Sequence, residues 1–431
     1  MYTSISQLYS IFIQDKVVTT DTRVCPKGSI FFALKGNNFD GNLFAHKALE
    51  AGCAHAVVDN PEIAKTDERY LLVEDVLTSL QQLASHHRDQ LTIPVLGITG
   101  TNGKTTTKEL TLAVLSQKYN TLATEGNLNN HIGVPLTLLK ITDLHEFAII
   151  EMGANHPYEI EALCKIAKPD FGMITNIGKA HLEGFGSYEG VIKTKMEMYD
   201  WIRQNNGKVF VNSDDSVLVS RLDSLQSISY AHADINASII GKVIDADPQI
   251  RIQLSDSKEN ITIQTQLIGA YNLPNMLAAA AIGYYFGVTM PKIKEALESY
   301  APQNKRSQLI KTDSNTIILD AYNANPTSML AALQNFRSLN MSHKTIIIGD
   351  MRELGECSEE EHQRIIDWLE KNPFDKTIFV GEIFHKLNNG KQSYINAAQL
   401  AEELKTTPMC NQTILIKGSR GIALEQIAEI L

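Results

Sequence analysis

"GITGTNGKTTTKEL" (residues 97–110) is the stretch on which the reading of this chain turns. Gly100, Gly103, Lys104 and Thr105 lie between an apolar run that ends at Ile98 and a helical pattern that begins near Lys104. A strand, a glycine turn and a helix start, in that order, make an anion cradle. Main-chain N–H groups of 101–105 are expected to point at phosphate oxygens, with the helix dipole behind them. Lys104 is placed to pair with β and γ oxygens, and Thr105 to offer its hydroxyl to Mg²⁺. The match to G-x-x-x-x-G-K-[ST] is imperfect, because Ile98 stands where the first glycine belongs. The competing reading is a glycine turn whose Lys and Thr merely face solvent. The strand before it and the helix after it favour a nucleotide.

Working outward, strands and helices alternate on both sides of this loop. "EFAIIEM" (146–152), "DFGMIT" (170–175) and "KVFVN" (208–212) read as buried strands, and "YEGVIKTKMEMYDWI" (188–202) as a helix. Such alternation predicts a mostly parallel sheet covered by helices on both faces. Short β-like runs at 236–268 predict an antiparallel patch. Upstream, "SIFFAL" (29–34), "LFAHKALEAGCA" (43–54) and "HAVVD" (55–59) predict a small α/β unit, and the polar "SHHRDQLTIP" (85–94) predicts a hinge. Downstream, strands at 316–320, 344–350, 376–380 and 413–418 alternate with helices near 326–339, 358–371 and 421–430. That unit is Rossmann-like, but no G-x-G-x-x-G follows its strands, so no dinucleotide site is indicated. The expected division of this α/β chain is 1–92, 93–302 and 303–431, in line with a length of 431 residues and roughly 150 residues per domain.

Composition bounds the partners. The chain is 43% hydrophobic and 20% charged, with a formal net charge of −10. Without a long basic run, nucleic acid and anionic membrane surfaces are poor partners. The five cysteines form no C-x-x-C pair, so neither a zinc knuckle nor a disulfide framework is expected. The first residues, "MYTSISQLYSIFIQDK", lack the pattern of a secretory signal, and no apolar run approaches a membrane span. A cytoplasmic monomer is expected.

Other residues extend the site. Glu151 in "EMGANH" (151–156) and His181 in "TNIGKAHLEGFG" (175–186) each follow an apolar strand. Ligands of open parallel sheets bind outside the carboxyl ends of the strands, the edge that carries the phosphate loop. A carboxylate and an imidazole there suit a second Mg²⁺, although His is an unusual ligand for that ion. Taken singly, each is more simply a loop residue. Lys193 and Lys195 share a helix and read as two solvated lysines. Asn275, in "YNLPNMLAAAA" (271–281), either caps a helix or reads an adenine edge. Arg306 and "DAYNANP" (320–326) lie past the second boundary. An Arg there can neutralise a transferring phosphoryl group from across a cleft.

These motifs, in this order, resemble the Mur ligases over nearly the whole chain. "GTNGKTTTKE" is similar to that family's phosphate loop, which has its own glycine spacing. "EGNLNNHIGVPLTLL" (125–139), "DAYNANP", "GDMRELG" (349–355) and "LIKGSRG" (415–421) also follow the family pattern. "DAYNANP" with "GDMRELG" points to the branch that joins D-alanyl-D-alanine to UDP-N-acetylmuramoyl-tripeptide. The resemblance implies an ATP-dependent ligase working through an acyl phosphate. It implies UDP-substrate binding by 1–92, ATP binding by 93–302 and binding of the incoming amine by 303–431. Gly100, Thr101, Asn102, Gly103, Lys104, Thr105 and Thr106 would hold ATP, with Asn275 near adenine and Arg306 and Asp320 contributed by the third domain. Thr105, Glu151, His181 and a carbamylated Lys195 would serve two Mg²⁺ ions. Lys104, Lys195, His181 and Arg306 would be catalytic. Lys35, Asn127, Asn129, Asn130, Asn323 and Asn325 would face the substrates. Two departures stand out: Met196 where a glycine is common, and Asn42 where His is common. Rival readings are another amide ligase of the superfamily, such as a folylpolyglutamate synthetase, and a nucleotide switch without an amine acceptor.

Overall fold

The computed structural model describes residues 2–303, 305–388 and 392–431. Three α/β units follow one another along the chain. The first is a parallel sheet of β1 (Val18–Thr19), β2 (Ile30–Phe32), β5 (His55–Val58) and β6 (Tyr70–Leu72), in that order. A two-stranded ribbon, β3 (Lys35–Gly36) with β4 (Phe39–Asp40), projects between β2 and β5 in sequence.

The second unit carries nine strands: β7 (Val95–Thr99), β8 (Thr121–Ala123), β9 (Phe147–Glu151), β10 (Phe171–Ile174), β11 (Lys208–Asn212), β12 (Gln226–Ala231), β13 (Ile239–Ala246), β14 (Gln249–Ser255) and β15 (Asn260–Ile268). Their spatial order is β15-β14-β13-β12-β11-β10-β7-β9-β8. β8 to β13 and β7 pair parallel, while β13, β14 and β15 pair antiparallel. Every residue of β7 and β9 is buried, as expected of parallel strands covered on both faces. β15 instead alternates exposed with buried positions. Its inward Ile263 packs with Ile250 and Ile252 against Leu277 of the Leu273–Tyr285 helix, the one-sided burial that gives a strand its period of two.

The third sheet runs β16 (Gln308–Lys311), β17 (Asn315–Asp320), β21 (Gln412–Lys417), β18 (Lys344–Gly349), β19 (Lys376–Val380), β20 (Ser393–Tyr394) in spatial order. Only β16 pairs antiparallel among these. The expected helix near 421–430 is in fact two short pieces, Arg420–Ile422 and Glu425–Ala428. Ala423 holds a left-handed backbone, φ 56°, and breaks the run between them.

The expected hinge at 85–94 is not one. The Val76–Asp89 helix runs through its first half and buries His87 and Arg88. Arg88 donates to Ala167 O, Lys168 O and Asp170 Oδ2, and His87 Nε2 lies 2.9 Å from Ile141 O. Leu8, Phe12, Leu80 and Leu83 of the first unit share one core with Val134, Leu138 and Leu163 of the second. Polar composition alone misread side chains whose partners come from another unit.

Candidate active site

The phosphate loop starts where β7 ends and leads into the Lys104–Leu115 helix. Gly103 is the residue before that helix, in left-handed backbone at φ 80°. A Cβ at Gly103 would run into the Asn275 amide, so glycine is required on two counts. Thr175 to Gly178, which follow β10, hold the loop from behind. Thr101 N–H donates to Asn176 O at 2.9 Å and Asn102 N–H to Asn176 Oδ1 at 3.0 Å. These two N–H groups therefore do not face a phosphate as expected. The anion-facing donors begin at the helix start, where the first N–H groups have no intrahelical acceptor.

Lys104 Nζ donates to Gly100 O at 2.7 Å and Thr101 O at 3.1 Å. Burial lowers its pKa, Glu151 opposes that, and Arg306 lowers it further. Thr105 Oγ1 and Asn129 Nδ2 both donate to Glu151 Oε1, at 3.2 and 2.8 Å. Glu151 is 1% exposed and its Oε2 is buried with no hydrogen-bond partner. A carboxyl oxygen left bare at such depth fits a cation. Among the described residues no three His, Cys, Asp or Glu side chains gather as a metal cluster. The Thr105 hydroxyl, already on that carboxylate, would join Glu151 on a cation, and oxygen donors of this kind suit Mg²⁺ rather than Zn²⁺.

The third unit closes over this edge. β17 and β21 pair in parallel register, Asp320 opposite Lys417. That register places Lys417 Nζ 2.6 Å from Asp320 Oδ2 at the carboxyl ends of both strands. The Arg306 guanidinium stacks 3.9 Å over the Tyr322 ring. Arg306, Asp320, Asn323 and Asn325 line the same cavity, about 630 Å³, as Thr101–Thr106, Asn127, Asn129, Asn130, Glu151, His181 and Asn275.

Residues 16–88, 98–283 and 305–430 match, in turn, the "Mur ligase family, catalytic domain", the "Mur ligase middle domain" and the "Mur ligase, glutamate ligase domain". The chain belongs to the Mur ligase family. It is 35% identical over 427 residues to the UDP-N-acetylmuramoyl-tripeptide–D-alanyl-D-alanine ligase of Bacillus subtilis (strain 168), covering 96% of this chain and 92% of that one. The fold is similar to a crystal structure of MurF from Acinetobacter baumannii, with a TM-score of 0.86, 32% identity and coverage of 96% and 93%. It is also similar to a MurF ligase from Thermotoga maritima in complex with ADP, with a TM-score of 0.85, 26% identity and coverage of 96% and 97%.

Within this Mur ligase, several sequence expectations change. Lys195 is not a solvated lysine: it is 2% exposed, 5.5 Å over the Phe185 ring, whereas Lys193 is exposed. Burial first, then the charge of Lys104, pushes the Lys195 amine down to about 7. Lys195 is not among the residues that line the cavity. Asn275 does not cap the Leu273–Tyr285 helix but lies within its first turn. Its side chain accepts from Thr107 Oγ1 and donates to Asn272 Oδ1, so it ties that helix to the helix behind the phosphate loop. Lys35 pairs with Asp59 at 2.8 Å in the first unit and does not line the cavity. The departure at Asn42 has a structural role: the residue is 2% exposed and donates to Asp40 Oδ1 and Asp59 Oδ1.

Sequence reasoning passed over Asn176, Tyr271, Glu353 and Lys417. Asn176, Tyr271 and Lys417 line the cavity, and Glu353 contacts His181. All four fall in quoted motifs, yet each acts through a partner distant in sequence, which spacing along one motif does not show.

Proposed function

We propose that this Mur ligase joins D-alanyl-D-alanine to UDP-N-acetylmuramoyl-tripeptide at the expense of ATP, in the making of peptidoglycan precursors. The observation that carries this reading is one cavity bounded by the phosphate loop, the bare Glu151 oxygen and the Asp320–Asn325 segment. The substrate pair is that of the 35% identical relative, and the nucleotide reading is supported by the ADP bound to the Thermotoga neighbour.

In this reading the γ-phosphoryl group passes to the terminal carboxylate of the tripeptide, giving an acyl phosphate and ADP. The amine of D-alanyl-D-alanine then attacks the acyl carbon. Phosphate leaves, the amine loses a proton and an amide remains. A carboxylate is a poor electrophile and phosphate a good leaving group, so ATP drives the step. Lys104, Arg306 and the N–H groups at the start of the Lys104–Leu115 helix neutralise charge on the transferring group. Thr105 and Glu151 are the groups that would hold Mg²⁺, and His181, on the wall of the same cavity, would serve the second ion. When bound, the ion neutralises phosphate oxygens. Arg306 lowers the Lys104 pKa and Lys104 lowers that of Lys195, and a polyphosphate relieves such a cluster of charge.

We assign 1–92 to the UDP-substrate, 93–302 to ATP and 303–431 to the incoming amine. Asn127, Asn129, Asn130 and Asn323 then face the reacting ends of the substrates, with Lys35 toward the UDP end, while the Asn325 amide is taken up by Ser328 and Asn102. Lys195 is the proposed carbamate. Its depressed pKa leaves free amine at neutral pH, and Lys104 is a countercharge for the carbamate anion. The deciding experiment is mass spectrometry of the reaction, with phosphate release measured beside it. UDP-muramoyl-pentapeptide, with release dependent on both substrates, supports the reading. Release without an amine acceptor, or product only with another acceptor pair, overturns it.

A further inference from the structure

Asn102 sits in the phosphate loop and is held from two sides. Its main chain belongs to the central unit: the N–H donates to Asn176 Oδ1 at 3.0 Å, and the carbonyl accepts from Thr175 Oγ1 at 2.6 Å and Asn176 Nδ2 at 2.9 Å. Its side chain belongs to the C-terminal unit, where Asn325 Nδ2 donates to Asn102 Oδ1 at 2.8 Å. Among the described residues, this is the side-chain hydrogen bond that ties the C-terminal unit to the loop itself. The ion pairs across the seam among the described residues, Lys179 with Glu361 at 3.4 Å and His181 with Glu353 at 2.7 Å, fall on the segment behind it.

Neither amide can turn over without loss. Asn325 caps the Pro326–Ser338 helix, and its Oδ1 accepts from Ser328 N–H at 2.9 Å. Its Nδ2 therefore points outward, and only the oxygen of Asn102 can accept from it. Asn102 also lines the cavity, so its amide nitrogen is the end that remains for a ligand. A donor beside phosphate oxygens is favourable, whereas an acceptor there is repelled.

We infer that Asn325 is a positioning residue: through Asn102, it lets docking of the C-terminal unit aim a side-chain donor of the phosphate loop at the nucleotide. The inference rests on the reading of the loop as an ATP site. Linkage requires the reverse as well, so nucleotide strengthens docking by the same factor.

Asn325→Ser keeps a good helix cap but is too short to reach Asn102. Asn325→Asp also keeps the cap but can only accept. Asn102 must then turn over to meet it and leave its oxygen for the phosphates. The test is the ADP dissociation constant by titration calorimetry for wild type, both variants, Asn102→Ala and the Asn102→Ala/Asn325→Ser pair, with thermal unfolding of each in the absence of nucleotide. Asn325→Ser is expected to weaken ADP about five- to tenfold, the worth of one neutral hydrogen bond. Asn325→Asp should weaken it further, and in the Asn102→Ala background the Ser substitution should cost nothing more. Equal affinity of Asn325→Ser and wild type overturns the inference. So do an Asp variant no weaker than Ser, and losses that simply multiply in the pair. Unfolding temperatures that fall in step with affinity overturn it too, because helix capping would then carry the effect. A wild-type protein that does not bind ADP overturns instead the ATP reading on which the inference stands.

Discussion

His181 Nδ1 lies 2.7 Å from Glu353 Oε2, and each residue holds a left-handed backbone, φ 51° and φ 66°. One belongs to the central unit and the other to the C-terminal unit, so the pair spans their seam. Non-glycine residues in that conformation cost on the order of 1 kcal/mol each, which the surrounding packing must offset. A Cβ at Gly355 would come within 3.2 Å of Glu183 Cβ in the same seam. The contact with His181 holds the Glu353 carboxyl below the usual carboxylate range. A lowered carboxylate contributes stability above its ordinary pKa of about 4.3 and loses it as pH falls through the lowered value. Glu353→Gln should therefore unfold at a lower temperature than wild type near neutrality. The difference should shrink as pH falls below about 4.3 and vanish once the pH lies below the lowered value. A gap that persists unchanged into acid would show that the charge on Glu353 is irrelevant to docking.

The Lys104 ammonium sits on the carbonyls of Gly100 and Thr101, at the floor of the cavity. Lys104→Ala should lower kcat at least about 100-fold, the usual cost of removing one group that neutralises transition-state charge. Circular dichroism should show an unchanged fold. A folded variant with near-normal kcat would remove the phosphate-loop argument.

Lys195 carries the pH prediction. With its pKa near 7, the neutral amine grows as pH rises through 7, and only the neutral amine captures CO₂. Burial of the charged form costs the bare folded protein stability below that pH, and the cost fades as pH rises toward the unfolded lysine value of about 10.4. With ¹³C-labelled CO₂ held constant, a carbamate resonance should appear through pH 7 and be absent from Lys195→Ala. Acetate or propionate should restore turnover to Lys195→Ala, while Lys193→Ala should need no restoring. Full activity of Lys195→Ala without added acid would end the carbamate proposal.

Arg88 tests the seam between the first and second units. Its nearly buried guanidinium serves Ala167 O, Lys168 O, Leu91 O and Asp170 Oδ2. Arg88→Ala should cost about 3 kcal/mol in denaturant unfolding, because these acceptors are left unpaired. A loss under about 0.5 kcal/mol, typical of an exposed site, would restore the hinge reading.

What the sequence determined by itself is local and periodic. The largely apolar runs of β7 and β9 and the glycines around Lys104 announce a parallel sheet with a phosphate loop, because burial on both faces and left-handed backbone each restrict the residue types allowed. Parallel strands also send the residues after them to one edge, so Glu151 and His181 were legible as neighbours of the loop before any contact was known. Only the tertiary structure decided the rest. Whether Lys195 or Lys193 is buried depends on which helix face meets the sheet. Whether His87 and Arg88 bend or brace the chain depends on Ile141, Ala167 and Asp170. The side-chain contacts of Glu353, Lys417 and Asn325 with His181, Asp320 and Asn102 join residues between 97 and 223 positions apart. Such contacts arise from domain docking and strand register, and their free energy exists only once the whole chain has closed around them.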